Sequence, residues 1–131
     1  MTEKKLWTIL RNLLGDKWHG QRLEDRLSVG VPDIMYAIHG VQGVIELKVV
    51  DRPGKTIRIT NFQRSWLKKH GDHGNRSFLL VWAYESNILA LFSHTVAYNI
   101  SNMQDSKNEA LLWCHTNKLS SCINKFIEII G

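Results

Sequence analysis

Cysteine and proline are scarce in this chain, with two of each in 131 residues. Cys114 and Cys122 match neither a CxxC metal knuckle nor a disulfide framework, so both are read as reduced, small hydrophobic residues near the carboxyl end. Pro32 and Pro53 fall where a strand starts and where a loop turns, and no repeat or low-complexity tract is visible. The six histidines (His19, His39, His70, His73, His94 and His115) show no HExxH spacing and no neighbouring cysteine pair, which argues against a zinc site. The longest unbroken apolar run, Phe78 to Tyr84, is far too short to cross a bilayer. At the amino terminus the apolar positions are interrupted by Arg11, Asp16 and Lys17, unlike a secretory signal. A cytoplasmic location is therefore expected.

What is present is ordinary in amount and uneven in placement. The length is that of one globular domain, and 44% apolar with 22% charged residues is close to the average for folded soluble proteins. The net charge of +5 is concentrated. Between Lys48 and Lys69 lie seven cations (Lys48, Arg52, Lys55, Arg58, Arg64, Lys68 and Lys69) against the single anion Asp51. From Ser77 onward, three lysines face four acidic residues. A field of one sign confined to one segment is the footprint expected of a surface that meets a phosphate backbone. A solvated charged helix face with a charged loop is the bland alternative.

Periodicity orders the elements. Leu6, Ile9, Leu10, Leu13 and Leu14 recur at helical spacing, predicting a helix over residues 3–14. A loose alternation from Gln21 to Ser28 suggests an edge strand. Strands follow at 31–38 and 43–50, joined by the turn-rich His39-Gly40-Val41-Gln42. Next come a loop at 51–55, a helix over 60–69 stopped by Gly71 and Gly74, strands at 77–84 and 88–93, and a helical tail. In that tail Ile123, Phe126, Ile127 and Ile130 share one face, able to close the core or to pair two subunits. The order α-β-β-β-α-β-β-α predicts an α/β fold with a central mixed sheet flanked by helices.

The chemistry gathers on the second and third predicted strands. Alternation puts Val44, Glu46, Lys48 and Val50 on one face and Ile45, Leu47 and Val49 on the other. The plausible hairpin registers set Asp33 across from, or diagonal to, Glu46 and Lys48. Two carboxylates on neighbouring strands suit a hard cation such as Mg²⁺, which prefers oxygen ligands and keeps several waters. The Leu47 carbonyl lies between the two active-site side chains and is a candidate third ligand. Lys48 would sit beside the same cation, placed to orient or deprotonate an attacking water or to stabilise charge on a phosphoryl group.

The run Gly30-Val31-Pro32-Asp33, a turn, Val44-Ile45-Glu46-Leu47-Lys48, then a basic helix bearing Gln63 and Trp66, resembles the PD-(D/E)XK nuclease superfamily over about residues 20–95. Within it the chain looks most like small stand-alone VRR-NUC and Holliday-junction-resolvase-like nucleases found in phages. The resemblance implies a restriction-endonuclease-like fold over residues 1–131 as one nuclease domain, acting in the host cytoplasm if phage-encoded. It also implies Mg²⁺ or Mn²⁺ at Asp33 and Glu46, a catalytic Lys48, Gln63 near the scissile phosphate, and a homodimer that nicks or cuts duplex or branched DNA.

Several positions carry two readings. Thr60-Asn61-Phe62-Gln63 is also a capping box, which would use Gln63 to close a helix terminus. Glu24 is a further metal-ligand candidate, or an ion-pair partner of Arg22 or Arg26. Trp66 can stack on a base but more readily packs its helix onto the sheet, and Trp82 reads as core. Arg52, Lys55, Arg58, Arg64, Lys68 and Lys69 are the DNA-binding candidates. Against a metal-dependent endonuclease stand a non-catalytic nucleic-acid-binding module of nuclease-like fold and a structural protein whose basic face meets another protein. No base-reading motif is visible, so the sequence names no particular DNA target.

Overall fold

A computed structural model of the chain describes residues 2–23 and 29–131. Helix α1 (Glu3–Leu14) opens on Thr2, whose hydroxyl accepts the Lys5 N–H at 3.2 Å, and ends where Gly15 turns to φ 50°. Leu6, Leu10 and Leu14, one per turn, are buried. Each contributes roughly 1.5–3 kcal/mol of hydrophobic stabilisation, which pins the helix that begins with Glu3.

Six strands follow among the described residues: β1 (His19–Arg22), β2 (Ile34–Ile38), β3 (Val41–Val50), β4 (Arg76–Ala83), β5 (Ile88–Ser93) and β6 (Leu112–His115). They lie side by side in chain order, and every neighbouring pair is antiparallel except β3 and β4. Parallel neighbours need a crossover, supplied by helix α2 (Asn61–Asp72). Short α3 (His94–Asn99) and the terminal α4 (Leu119–Ile130) complete the set. The expected α/β architecture, a central mixed sheet with helices against it, is the one observed.

The alternation along β3 divides the core. Ile45 and Leu47 face α1 and α4, packing with Leu6, Leu10, Leu14, Phe126 and Ile130. Val44 and Val50 face the other way, toward Ile57, Ile59, Leu67, Phe92 and Ala97. Strand β4 is apolar along most of its length because both of its faces are covered. The face predicted on the terminal helix is spent inside the subunit, with Phe126 and Ile130 buried and Ile123 and Ile127 packed against the same core. Tyr36 donates its hydroxyl to the Ile130 carbonyl at 2.5 Å, and burial pushes its pKa upward.

The structure departs from the expected elements at several places. The β2–β3 turn is shorter than expected: His39 and Gly40 both have positive φ and Ile38 already pairs with Val41, the two-residue hairpin geometry that matches strand twist. Strand β2 begins at Ile34 rather than at residue 31, where Pro32 has no N–H to give a ladder. Of the alternating stretch 21–28, Gln21 and Arg22 end β1, and the rest lies outside the described residues except for Leu23. Helix α2 runs through Gly71, which is buried with no room for a Cβ beside His94 of α3, and turns off at His73 and Gly74 (φ 88°). His70 is therefore a helical residue, its ring tilted against that of Trp66 at 4.6 Å, and Trp66 packs against the second core cluster.

Helix α3 and strand β6 were not anticipated. The edge strand pairs Cys114 with Leu89 and joins it to α4 through a Cys114–Cys122 disulfide. The reading of both cysteines as reduced is thereby corrected: β6 and α4 pack together and bring the two Cα atoms to 6.7 Å, within bridging range.

Candidate active site

Continuing the β2–β3 register one step past Ile34↔Ile45 sets position 33 opposite Glu46. Asp33 lies just before β2, and its main-chain carbonyl accepts the Leu23 N–H at 2.7 Å. Its Oδ2 accepts the Leu47 N–H at 2.9 Å. That N–H has run beyond the end of β2, so the carboxylate replaces a missing ladder partner and is held beside β3. Glu46, the preceding residue of β3, points to the opposite face from Leu47 and is 1% exposed.

A third carboxylate, which no sequence signal singled out, joins them. Carboxylate oxygens of Glu3, Asp33 and Glu46 all lie within 4.8 Å of one another. Glu3 is the first residue of α1. In the sequence it looks like any acid placed at a helix amino terminus to suit the dipole, and only the docking of α1 on the sheet carries it to the strands. Glu24, the extra acid expected from the sequence, lies outside the described residues.

These carboxyls do not suit one another as they stand. Glu46 Oε2 is buried without a hydrogen-bond partner. Burial, then the adjoining Asp33 carboxylate, push the Glu46 pKa up to about 10, against the opposing pull of Lys48. Burial also raises Glu3, offset by Lys48, while Asp33 pushes it further up and Arg22 draws it down. Crowded acids with an unpartnered buried oxygen are the condition that a cation relieves. Three carboxylates form a hard-oxygen donor set that could bind a metal ion.

Lys48 shares a face with Glu46, and its Nζ is 3.8 Å from Glu3 Oε1. Its side chain is 13% exposed, so the charge sits at the edge of the cluster and not out in solvent. Gln63 caps α2 and also reaches Glu46. Its Oε1 accepts the Thr60 N–H at 3.0 Å while its own N–H goes to Thr60 Oγ1 at 3.1 Å, completing the capping box. Its Nε2 donates to Glu46 Oε1 at 3.4 Å. The helix cap therefore aims the amide at the cluster.

The cations separate into two groups. Lys55 and Arg58 are exposed and, with Glu3 and Lys48, line a cleft of about 530 Å³ beside the cluster. Arg58 is held outward between buried Ile57 and Ile59. Exposed Arg52 lies 3.5 Å from Asp51, and Lys69 is exposed on α2. Arg64 and Lys68 are engaged within the protein: Arg64 donates to the carbonyls of Ala97 at 2.9 Å and Tyr98 at 3.3 Å, and Lys68 pairs with Asp72 at 2.6 Å.

Gly30 ties the Asp33 segment to α2. It has φ 84°, and a Cβ there would lie 2.6 Å from the Phe62 carbonyl oxygen. Gly30→Ala would combine backbone strain with a clash against main chain that cannot yield cheaply. The expected loss is about 1–2 kcal/mol of stability, with the Asp33 segment displaced from Gln63 and Glu46. Thermal melts would register the first effect. Unchanged melting and unchanged metal binding in Gly30→Ala would show that the close approach is not needed.

No protein-family profile matches the chain, and no curated protein matches it in sequence. In fold it is similar to the solved structure of a bacterial homing endonuclease, I-Ssp6803I, with a TM-score of 0.48 and 17% identity, over 74% of this chain and 65% of that one. The chain thus matches less than two thirds of that protein's length. Among the described residues no helix is long and apolar enough to cross a membrane.

Proposed function

We propose that residues 1–131 are one nuclease domain of PD-(D/E)XK type that hydrolyses phosphodiester bonds in DNA with Mg²⁺ or Mn²⁺. One arrangement carries the reading: Glu3, Asp33 and Glu46 converge, one Glu46 oxygen is buried without a partner, and Lys48 sits at their edge with a cationic cleft alongside.

Each carboxylate would hold the cation through one oxygen. The N–H and C=O of a strand residue point to the same side, so the Leu47 carbonyl would face the gap that its N–H shares with Asp33 and add a neutral oxygen. When bound, the cation would supply positive charge against the transferring phosphoryl group and lower the pKa of the attacking water. Lys48 would orient that water and keep a positive charge against the developing charge on the phosphate. Gln63 would hold Glu46 in one orientation by its amide hydrogen bond. Lys55 and Arg58 would neutralise phosphates neighbouring the one that is cut.

The test is nicking of supercoiled plasmid. Product should accumulate with Mg²⁺ or Mn²⁺ and stop on chelation. Cutting that persists in excess chelator would overturn the proposed chemistry. Salt-sensitive DNA binding with no product under either metal would instead support a non-catalytic binding module. A panel of labelled linear, nicked and four-way-junction DNAs would then define the substrate class.

A further inference from the structure

Phe62 is out of place for a core-forming residue. It is 66% exposed at the second position of α2, although the buried residues of that helix, Leu67 and Gly71, lie on its inner side. Its neighbour Gln63 touches Glu46. Across from it, Gly30 rests against the Phe62 carbonyl, and the adjoining Val29 is 68% exposed. The first turn of α2 has no acidic residue, and exposed Arg58 and Lys55 precede it along the chain. An exposed aromatic ring at a helix amino terminus, next to the residue that reaches Glu46 and four residues after exposed Arg58, fits a molecule that is both anionic and aromatic. A nucleotide strand is such a molecule, and base–aromatic stacking tolerates any sequence.

We infer that Phe62 contacts a nucleobase flanking the phosphate held at the Glu3–Asp33–Glu46 cluster, and so favours DNA in which that base is free to leave its stack. The inference rests on the nuclease reading. Lys55 and Arg58 hold the backbone along the cleft beside the cluster, and the ring receives a base next to the phosphate held there. Substrate choice then depends on how readily the base unstacks, in keeping with the lack of any base-reading motif. A fully stacked duplex is the poorer substrate, and a nick, gap or junction the better one.

Cleavage rates test this. The cut site on a labelled nicked or junction DNA is mapped for the wild-type protein. An abasic nucleotide is then placed in turn on each side of the cut, and wild type, Phe62→Ala and Phe62→Trp are compared. For wild type, one of the two abasic substrates should be cut about tenfold more slowly than the intact DNA. Phe62→Ala should cut the intact DNA with a similar loss and be indifferent to the abasic change, while Phe62→Trp keeps the wild-type pattern. Equal rates for Phe62→Ala and wild type would overturn the inference. So would losses that simply multiply, because a ring acting through the fold has no reason to depend on that base. Equal melting temperatures guard against misfolding, and a variant that melts early would assign Phe62 a structural role and overturn the inference. If wild type cuts no DNA, the nuclease reading fails and the inference falls with it, an outcome distinct from active wild type with an unaffected Phe62 variant.

Discussion

Glu46→Ala should abolish metal-dependent cleavage, with a loss of at least about 10³-fold, and should also weaken Mn²⁺ binding measured by calorimetry. Glu46 is the best-buried member of the cluster and the one with a partnerless oxygen, so its removal opens the centre of the donor set. Lys48→Ala should separate the two measurements. Lys48 donates no metal-binding oxygen, so Mn²⁺ binding should persist while the nicking rate falls by about 10²–10³-fold. The same split is not expected for Glu3→Gln. Glu3 contributes one of the three neighbouring oxygens and also faces Lys48, so its loss should reduce binding and rate together. Undiminished nicking by Glu46→Ala would remove the cluster from the reaction.

Glu46→Gln should stabilise the metal-free protein at alkaline pH while abolishing its activity. In the unfolded chain Glu46 titrates near 4.5, and in the fold its pKa is pushed up to about 10, chiefly by burial. The folded state therefore binds a proton that the unfolded state has released across the window between those values. Stability associated with Glu46 is fully present below the unfolded pKa and is lost as pH rises toward the folded one. Glutamine keeps the shape and the Gln63 contact without the charge. Above pH 8 the metal-free variant should be more stable than wild type by about 2–3 kcal/mol, several degrees in Tm, and the two curves should converge toward pH 5. Added Mn²⁺ should raise the wild-type melt and reduce or reverse the difference. Parallel wild-type and Glu46→Gln curves from pH 5 to pH 9 would show that the buried carboxyl is not under this strain. The expected exchange of stability for function is the pattern of a site whose charges await a counter-ion.

How much of this was legible depended on the range of the signal. Helix α1 carries strong local periodicity and strand β5 is a short apolar run bounded by a turn, and their observed bounds match those predicted. Asp33, Glu46 and Lys48 could be grouped because a period of two and a short turn relate them within one hairpin. Helix α3 spans only six residues and β6 only four, too short to show a period. Both hold their places through long-range pairing, β6 with β5 and α3 with α2. The Cys114–Cys122 bridge was illegible for the same reason, since it depends on how α4 sits against β6.

The amino-acid sequence by itself determined the hairpin of the candidate site: which side chains share a face of β3, where the chain turns, and that the cations follow directly after Lys48. Only the tertiary structure decided that Glu3, thirty residues before Asp33, completes the carboxylate cluster, that Gln63 both caps α2 and reaches Glu46, and that Arg64 is engaged by α3 while Lys55 and Arg58 line the cleft. Alternation and turns arise from the covalent geometry of neighbouring residues and can be read locally. Which distant groups meet is set by the docking of α1 and α2 against the sheet, through buried side chains that carry no mark of the site they position.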